Sequence, residues 1–205
     1  EWGQLLAARG FAVLAPNIRG STGYGLDFAL ANRRDWGGAD YKDVMAGVDA
    51  IVAKGIADPE RLGIGGWSYG GYMAAWAVTQ TTRFKASVSG APMTDLVSEW
   101  GTESAGTNKY DTAFLGAPYE DAEPFTRFSP VLFAGRVKTP VLLLCGEEDP
   151  IDPIGQCTGY YRALTRVGTA TELVIYPREP HSFREFMHRV DSRRRMIEWF
   201  EQYLK

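Results

Sequence analysis

Apolar residues gather into five short runs, at positions 11–15, 61–67, 85–89, 140–145 and 171–176. None alternates strictly between apolar and polar, the pattern expected of strands covered on both faces. Between the first two runs, Tyr41, Val44, Met45, Val48, Ile51 and Val52 recur at three- and four-residue spacing. That spacing predicts a helix beginning near Asp40 and ending at Gly55. Ile154, Cys157, Tyr161, Leu164 and Val167 predict another, opened by Asp152-Pro153 with Asp152 as its N-cap and stopped by Gly168. Strands alternating with helices imply an α/β fold, a mostly parallel sheet with helices on both faces. Positions 93–137, rich in Thr, Gly, Pro and aromatic residues, predict a helix and an irregular excursion over the edge of that sheet.

The chain opens as the body of an amphipathic helix closed by Gly10, with no initiator Met and no capping residue. Residue 1 is therefore expected to be a cut inside a longer protein, and residues 1–205 to be one partial domain. No internal repeat or low-complexity tract interrupts them.

Composition narrows the function. With 205 residues, 45% of them hydrophobic, the chain can bury a substantial core. Its 22 basic and 25 acidic residues leave a net charge of −3, with no basic surplus for phosphates or an anionic membrane. Neither nucleic acid nor a membrane is an expected partner, and no run approaches the roughly 20 apolar residues of a membrane span. The basic cluster Arg193, Arg194, Arg195 reads as the solvated face of a helix whose Ile197, Phe200 and Leu204 point inward. Cys145 ends an apolar run and Cys157 lies on an inward helical stripe, so both read as buried thiols.

Gly66-Trp67-Ser68-Tyr69-Gly70 matches G-x-S-x-G between a strand and a helix. That context suits a nucleophile elbow, in which a strained turn projects the serine hydroxyl beyond the sheet and flanking glycines supply the room. Ser68 is the candidate nucleophile. A serine needs a base, and the chain holds two histidines. His181 follows the last strand in a turn-rich loop and is the candidate base; His188, near the start of the final helix, is expected to face solvent. The orienting acid should lie between Ser and His in chain order, on a loop after another strand. Glu147, Glu148 and Asp149 all qualify, and spacing does not choose among them.

These residues resemble the prolyl oligopeptidase family of serine peptidases, in particular its acylaminoacyl-peptidase and dipeptidyl-peptidase-like branch. The likeness runs from Phe11 through Gly25, Asp35-Trp36-Gly37-Gly38, Gly66 through Tyr72 and Gly146-Glu147-Glu148-Asp149 to the loop carrying His181. It implies an N-terminally truncated α/β-hydrolase fold, and Asp149, the fourth letter of the G-E-E-D segment, as the catalytic acid. It implies a peptidase acting on short peptides or acyl-peptides without metal or organic cofactor. A carboxylesterase using the same triad is the alternative, and an inactive fragment a third reading. The Tyr69 N–H would be one oxyanion donor. The second, a family tyrosine, would lie upstream, as would a β-propeller domain. Met93, Leu96 and Trp100 fall where the family builds part of the pocket for the residue preceding the scissile bond, with ordinary core packing as the alternative. Ile151 departs from the family's D-x-R-V-P pattern, because isoleucine stands where a hydrogen-bond donor is common. Arg19, Gly20, Tyr24 and Gly25 lack the lysine and helix start of a phosphate-binding loop and read as structural.

Overall fold

The computed structural model describes residues 2–205. Four of the five expected strands form: β1 (Leu62–Trp67), β2 (Phe84–Gly90), β3 (Val141–Gly146) and β4 (Thr171–Tyr176). All neighbours are parallel and the order is β1-β2-β3-β4. Parallel neighbours cannot be joined by a tight turn, so each connection is a crossover. Helix α4 (Tyr69–Gln80) joins β1 to β2 and α8 (Gly155–Arg166) joins β3 to β4. Between β2 and β3 run α5 (Leu96–Thr102), α6 (Ala105–Leu115), α7 (Glu123–Arg127) and a 3₁₀ helix (Pro130–Arg136). Helices α1 (Trp2–Ala7), α2 (Leu26–Ala29) and α3 (Ala39–Ala53) precede the sheet, and α9 (Phe186–Leu204) follows β4.

Strand β3 is buried along its whole length. Its period of two sends Val141, Leu143 and Cys145 to one face, against Val48 of α3, Ala75 and Val78 of α4, and Tyr160 and Leu164 of α8. Leu142 and Leu144 face the other side, against Met196, Ile197 and Phe200 of α9 and Leu6 of α1. A third apolar cluster, with Trp36, Tyr72, Trp76, Met93, Leu96 and Phe125, fastens the excursion after β2 onto α4. The helices thus hold the C-terminal ends of the strands in a fixed frame, and the loops leaving those ends carry the candidate chemistry.

Four expectations are corrected. Positions 11–15 belong to no strand; Val13 and Leu14 are 47% and 38% exposed. Apolar character is not sufficient for a strand, which exists only where a neighbour completes its ladder of hydrogen bonds. Cys145 and Cys157 are joined as a disulfide, their Cα atoms 6.6 Å apart, because α8 packs its first turn against the end of β3. Asp152 does not cap α8: the helix starts two residues later than its cap position requires, with Ile154 as N-cap and no side-chain capping bond. Positions 93–137 are more helical than expected, since Asp95 and Ser104 cap α5 and α6 by accepting from Val97 and Ser98 N–H and from Thr107 N–H respectively.

Candidate active site

Ser68 stands between β1 and α4 with φ 59° and ψ −122°, a region that a residue with a side chain adopts only under constraint. The constraint is visible in two backbone hydrogen bonds. Ser68 N–H donates to the Gly90 carbonyl at 2.9 Å, and Tyr72 N–H donates to the Ser68 carbonyl at 2.8 Å. Glycines make the turn possible: a Cβ on Gly66 would strike the backbone of Gly70, and one on Gly71 would strike the Gly90 carbonyl. As the first residue of α4, Tyr69 has an N–H without an intrahelical acceptor, beside the serine and at the positive end of the helix.

The Tyr69 ring is anchored as well. Its hydroxyl donates to the buried Asp40 carboxylate, accepts from the Asn32 amide at 3.3 Å, and the ring meets Trp36 edge-on at 5.3 Å. Burial raises the Asp40 carboxyl above its usual range, against the lowering effect of Tyr69 and of backbone donors. Burial, then the Asp40 charge, raises the phenol well above 10. Tyr69 therefore stays a neutral donor, and its backbone is fixed from both ends. Arg19 makes four hydrogen bonds to Asp43 and the Ala39 carbonyl, which pin the preceding loop to α3.

His181 lies on the loop after β4. Its Nδ1 is 2.9 Å from Asp149 Oδ2, and its carbonyl accepts from Trp67 Nε1 at 2.9 Å, which ties the histidine to the residue before Ser68. Asp149 is buried, and its Oδ1 accepts from Ile151 and Asp152 N–H at 2.9 and 3.0 Å. Glu147 and Glu148 are exposed, and Glu147 instead accepts from Arg178 N–H at 3.1 Å. Of the three acids left open by spacing, Asp149 is the one that meets the histidine. Burial lowers the His181 pKa, but the Asp149 hydrogen bond and the charges of Asp152 and Asp149 outweigh it, so the net shift is upward from 6.5. The Ser68 hydroxyl makes no hydrogen bond to the imidazole among the described residues; such contacts commonly tighten only around the reacting carbonyl.

The chain matches the prolyl oligopeptidase family over residues 3–205. It belongs to that family. An uncharacterized peptidase of Bacillus subtilis, YuxL, is 41% identical over 205 residues, covering 98% of this chain and 31% of the relative. A puromycin-hydrolyzing peptidase of Mycobacterium tuberculosis superposes with a TM-score of 0.87 at 35% identity, covering 92% of this chain and 29% of that one. An acylaminoacyl peptidase in complex with Z-Gly-Gly-Phe-chloromethyl ketone superposes with a TM-score of 0.87 at 33% identity, covering 92% and 31%. The chain thus has the α/β-hydrolase fold of its family and spans less than a third of the length of these relatives.

Within the family frame, the expected pocket residues divide. Met93 and Leu96 are buried in the third cluster, whereas Trp100 and Ile151 keep part of their surface. Trp100 donates to Thr112 Oγ1 at 2.9 Å and meets Tyr119 edge-on at 5.7 Å. His188 is not turned to solvent: its Nδ1 is 2.8 Å from Glu179 Oε1 and its ring packs on Tyr176. Glu179, fully buried, also accepts from Arg184 and Glu185 N–H at 2.6 and 2.9 Å, so it clasps the loop that carries His181. Burial raises its carboxyl, and these donors more than offset that. Glu179, Glu185 and His188 have ligand atoms close enough to surround a cation, but three donors to Glu179 already account for its burial.

Sequence reasoning missed Glu99, Glu103 and Asp111, and assigned Asp152 another task. Asp152 is 3% exposed, with Oδ2 3.6 Å from His181 Nδ1. Glu99 is 0% exposed and lies against Asp152, while Glu103 and Asp111 form a second contact beside it. The available signal was Glu99 and Glu103 four residues apart, hence on one face of a short helix where like charges repel.

Proposed function

We propose that the chain carries the catalytic machinery of a serine peptidase that hydrolyses short peptides or acyl-peptides. The observation that carries this reading is the strained Ser68 turn beside a buried Asp149–His181 pair. Ser68 attacks the carbonyl while His181 takes its proton and later returns it to the leaving amine; Asp149 fixes the ring and stabilises the imidazolium. The Tyr69 N–H receives the developing oxyanion, and a second donor is supplied by a part of the full-length protein outside these residues. Met93, Leu96, Trp100 and Ile151 border the pocket for the residue preceding the scissile bond. No cofactor enters the reaction. The full-length protein also carries a β-propeller that limits access to short substrates; the greater length of the relatives supports this.

A fluorophosphonate probe applied to the full-length protein should label Ser68, and Ser68→Ala should abolish both labelling and turnover. An acyl-amino-acid amide should be cleaved with a kcat/KM comparable to or above that of a matched nitrophenyl ester. Labelling that persists in Ser68→Ala defeats the nucleophile assignment, and turnover confined to the ester replaces the peptidase with an esterase.

A further inference from the structure

Four carboxyl groups converge beside His181, and the proposed mechanism draws on them only through the charge of Asp152 on the imidazolium. Glu99 and Glu103 come from α5 and its C-cap, Asp111 from α6, and Asp152 from the loop between β3 and α8. Glu99, Asp111 and Asp152 are 0%, 4% and 3% exposed, and Glu103 opens the group toward the surface. Both carboxylate oxygens of Glu99, Oδ2 of Asp152 and Oε2 of Glu103 are buried without a hydrogen-bond donor. Among the described residues no lysine or arginine is ion-paired with any of the four. The donors that do face them are the Asn108 amide, 3.2 Å from Glu103 Oε1, and the His181 ring, already engaged by Asp149.

Unpaired buried carboxyl groups are costly, and apolar residues of similar volume would serve the fold better. Natural chains keep such groups chiefly where something compensates them. Trp100, next in sequence to Glu99, keeps part of its surface and meets exposed Tyr119 edge-on, and aromatic faces attract cations. The Ser104 N–H, bonded to the Pro150 carbonyl at 2.7 Å, ties the turn between α5 and α6 to the loop carrying Asp149 and Asp152. The acids are therefore fixed relative to the reacting centre.

We propose that Glu99, Glu103 and Asp152, backed by Asp111, form a recognition site for the cationic side chain of a lysine or arginine preceding the scissile bond. This rests on the peptidase reading above and names its substrate class. Until the cation arrives the carboxyls share protons, one acid of each pair donating to its neighbour. All four are held above the usual carboxylate range by burial first, and Glu99, Glu103 and Asp152 also by neighbouring charge. The ammonium or guanidinium displaces those protons to solvent, so the preference for basic residues strengthens as pH rises and weakens as pH falls. The groups that set this dependence are Glu99, Glu103, Asp111, Asp152 and His181, with the carboxylate of Asp149 beside them; Lys109 of α6 is exposed and, among the described residues, in no ion pair.

The test uses the full-length protein and matched acyl-peptide amides that differ only before the scissile bond: lysine against norleucine, arginine against citrulline. The expected kcat/KM ratio of the basic to the neutral member is on the order of 10² at pH 8 and falls as pH is lowered, since buried groups left without their partner reject the neutral analogue. Glu99→Gln, which keeps the volume, should collapse the ratio toward unity while norleucine and citrulline peptides are still cleaved. A wild-type ratio at or below unity, with Ser68 labelled by fluorophosphonate and neutral peptides turned over, overturns the inference and leaves the peptidase reading standing. No labelling and no turnover of any peptide overturns both. If Glu99→Gln does not fold, the wild-type ratios decide alone.

Discussion

At the scale of single residues, the position of each proton is set by which neighbour is buried. His181 is raised from 6.5 despite its burial, because Asp149 and Asp152 stabilise the imidazolium. A base must be neutral to act, so kcat/KM of the full-length protein should lose activity on the acid side through an apparent pKa above 6.5. His181→Ala should lower kcat by a factor on the order of 10⁴. His188→Ala should lower it by less than about tenfold, since Glu179 keeps two backbone donors, while reducing the melting temperature through the loosened loop. Equal losses at both histidines, measured by steady-state kinetics, would exchange their roles. Ser68 and His181 were legible as candidates in the sequence because G-x-S-x-G and a turn after a strand announce them, whereas His188, expected to face solvent, packs against Glu179 and Tyr176. Asp149 was legible only through family resemblance: Glu147 and Glu148 precede it by two residues and by one, and only the three-dimensional turn decides which carboxylate reaches inward. The acids around Glu99 were not legible at all, since their meeting joins α5, α6 and the loop after β3. The disulfide between Cys145 and Cys157 was hidden for the same reason.

At the scale of elements, α4 and β2 are pressed together closely enough that the contact itself positions Ser68. Ser89 Oγ donates to the Gly71 carbonyl at 2.6 Å, and Gly71 has no room for a Cβ against the Gly90 carbonyl, which is also the acceptor for Ser68 N–H. Gly71→Ala should therefore push α4 off the sheet, lowering stability by about 1–3 kcal/mol and slowing fluorophosphonate labelling. A Cβ on Gly70 meets nothing, and Gly70→Ala should leave stability unchanged or raised by up to about 1 kcal/mol through helix propensity. Chemical denaturation of the two variants separates the contact argument from a general intolerance of alanine near the nucleophile. Of the four strands, β3 is buried along its length and β2 nearly so, and burial on both faces writes them as continuous apolar runs; β1 and β4, at the edges of the sheet, are only partly buried and were legible from their apolar residues alone. Positions 11–15 carry the same signature without forming a strand, since apolarity reports a tendency to be covered and not the presence of a pairing neighbour. The short helices of 93–137 were illegible for the opposite reason: their buried positions are scattered among Gly, Pro and polar residues, and caps rather than periodicity define them.

At the scale of the whole molecule, the four-stranded sheet has β1 as one edge, and the apolar positions 11–15 belong to no strand among the described residues. Exposed strand edges and uncovered apolar side chains such as Val13 and Leu14 favour pairing between molecules. Relatives more than three times the length of this chain carry the same domain. The proposed function assigns the second oxyanion donor to the remaining length, and that length is expected to cover this edge as well. The two assignments make separable predictions for the 205-residue segment produced alone. Loss of one oxyanion donor should lower its kcat by about 10²–10³ relative to the full-length protein. Loss of the cover should instead appear as concentration-dependent association. Size-exclusion chromatography with light scattering reads the second, and active-site titration with fluorophosphonate followed by peptide turnover per titrated serine reads the first. A deficit that disappears once turnover is normalised to titrated sites would mean that the segment is merely aggregated and that its oxyanion hole is complete within these residues. A deficit that persists per titrated site in monomeric fractions places the missing donor in the rest of the protein. Full-length rates from a monomeric segment would remove both assignments together, and would require the apolar stretch at 11–15 to be covered by the segment itself.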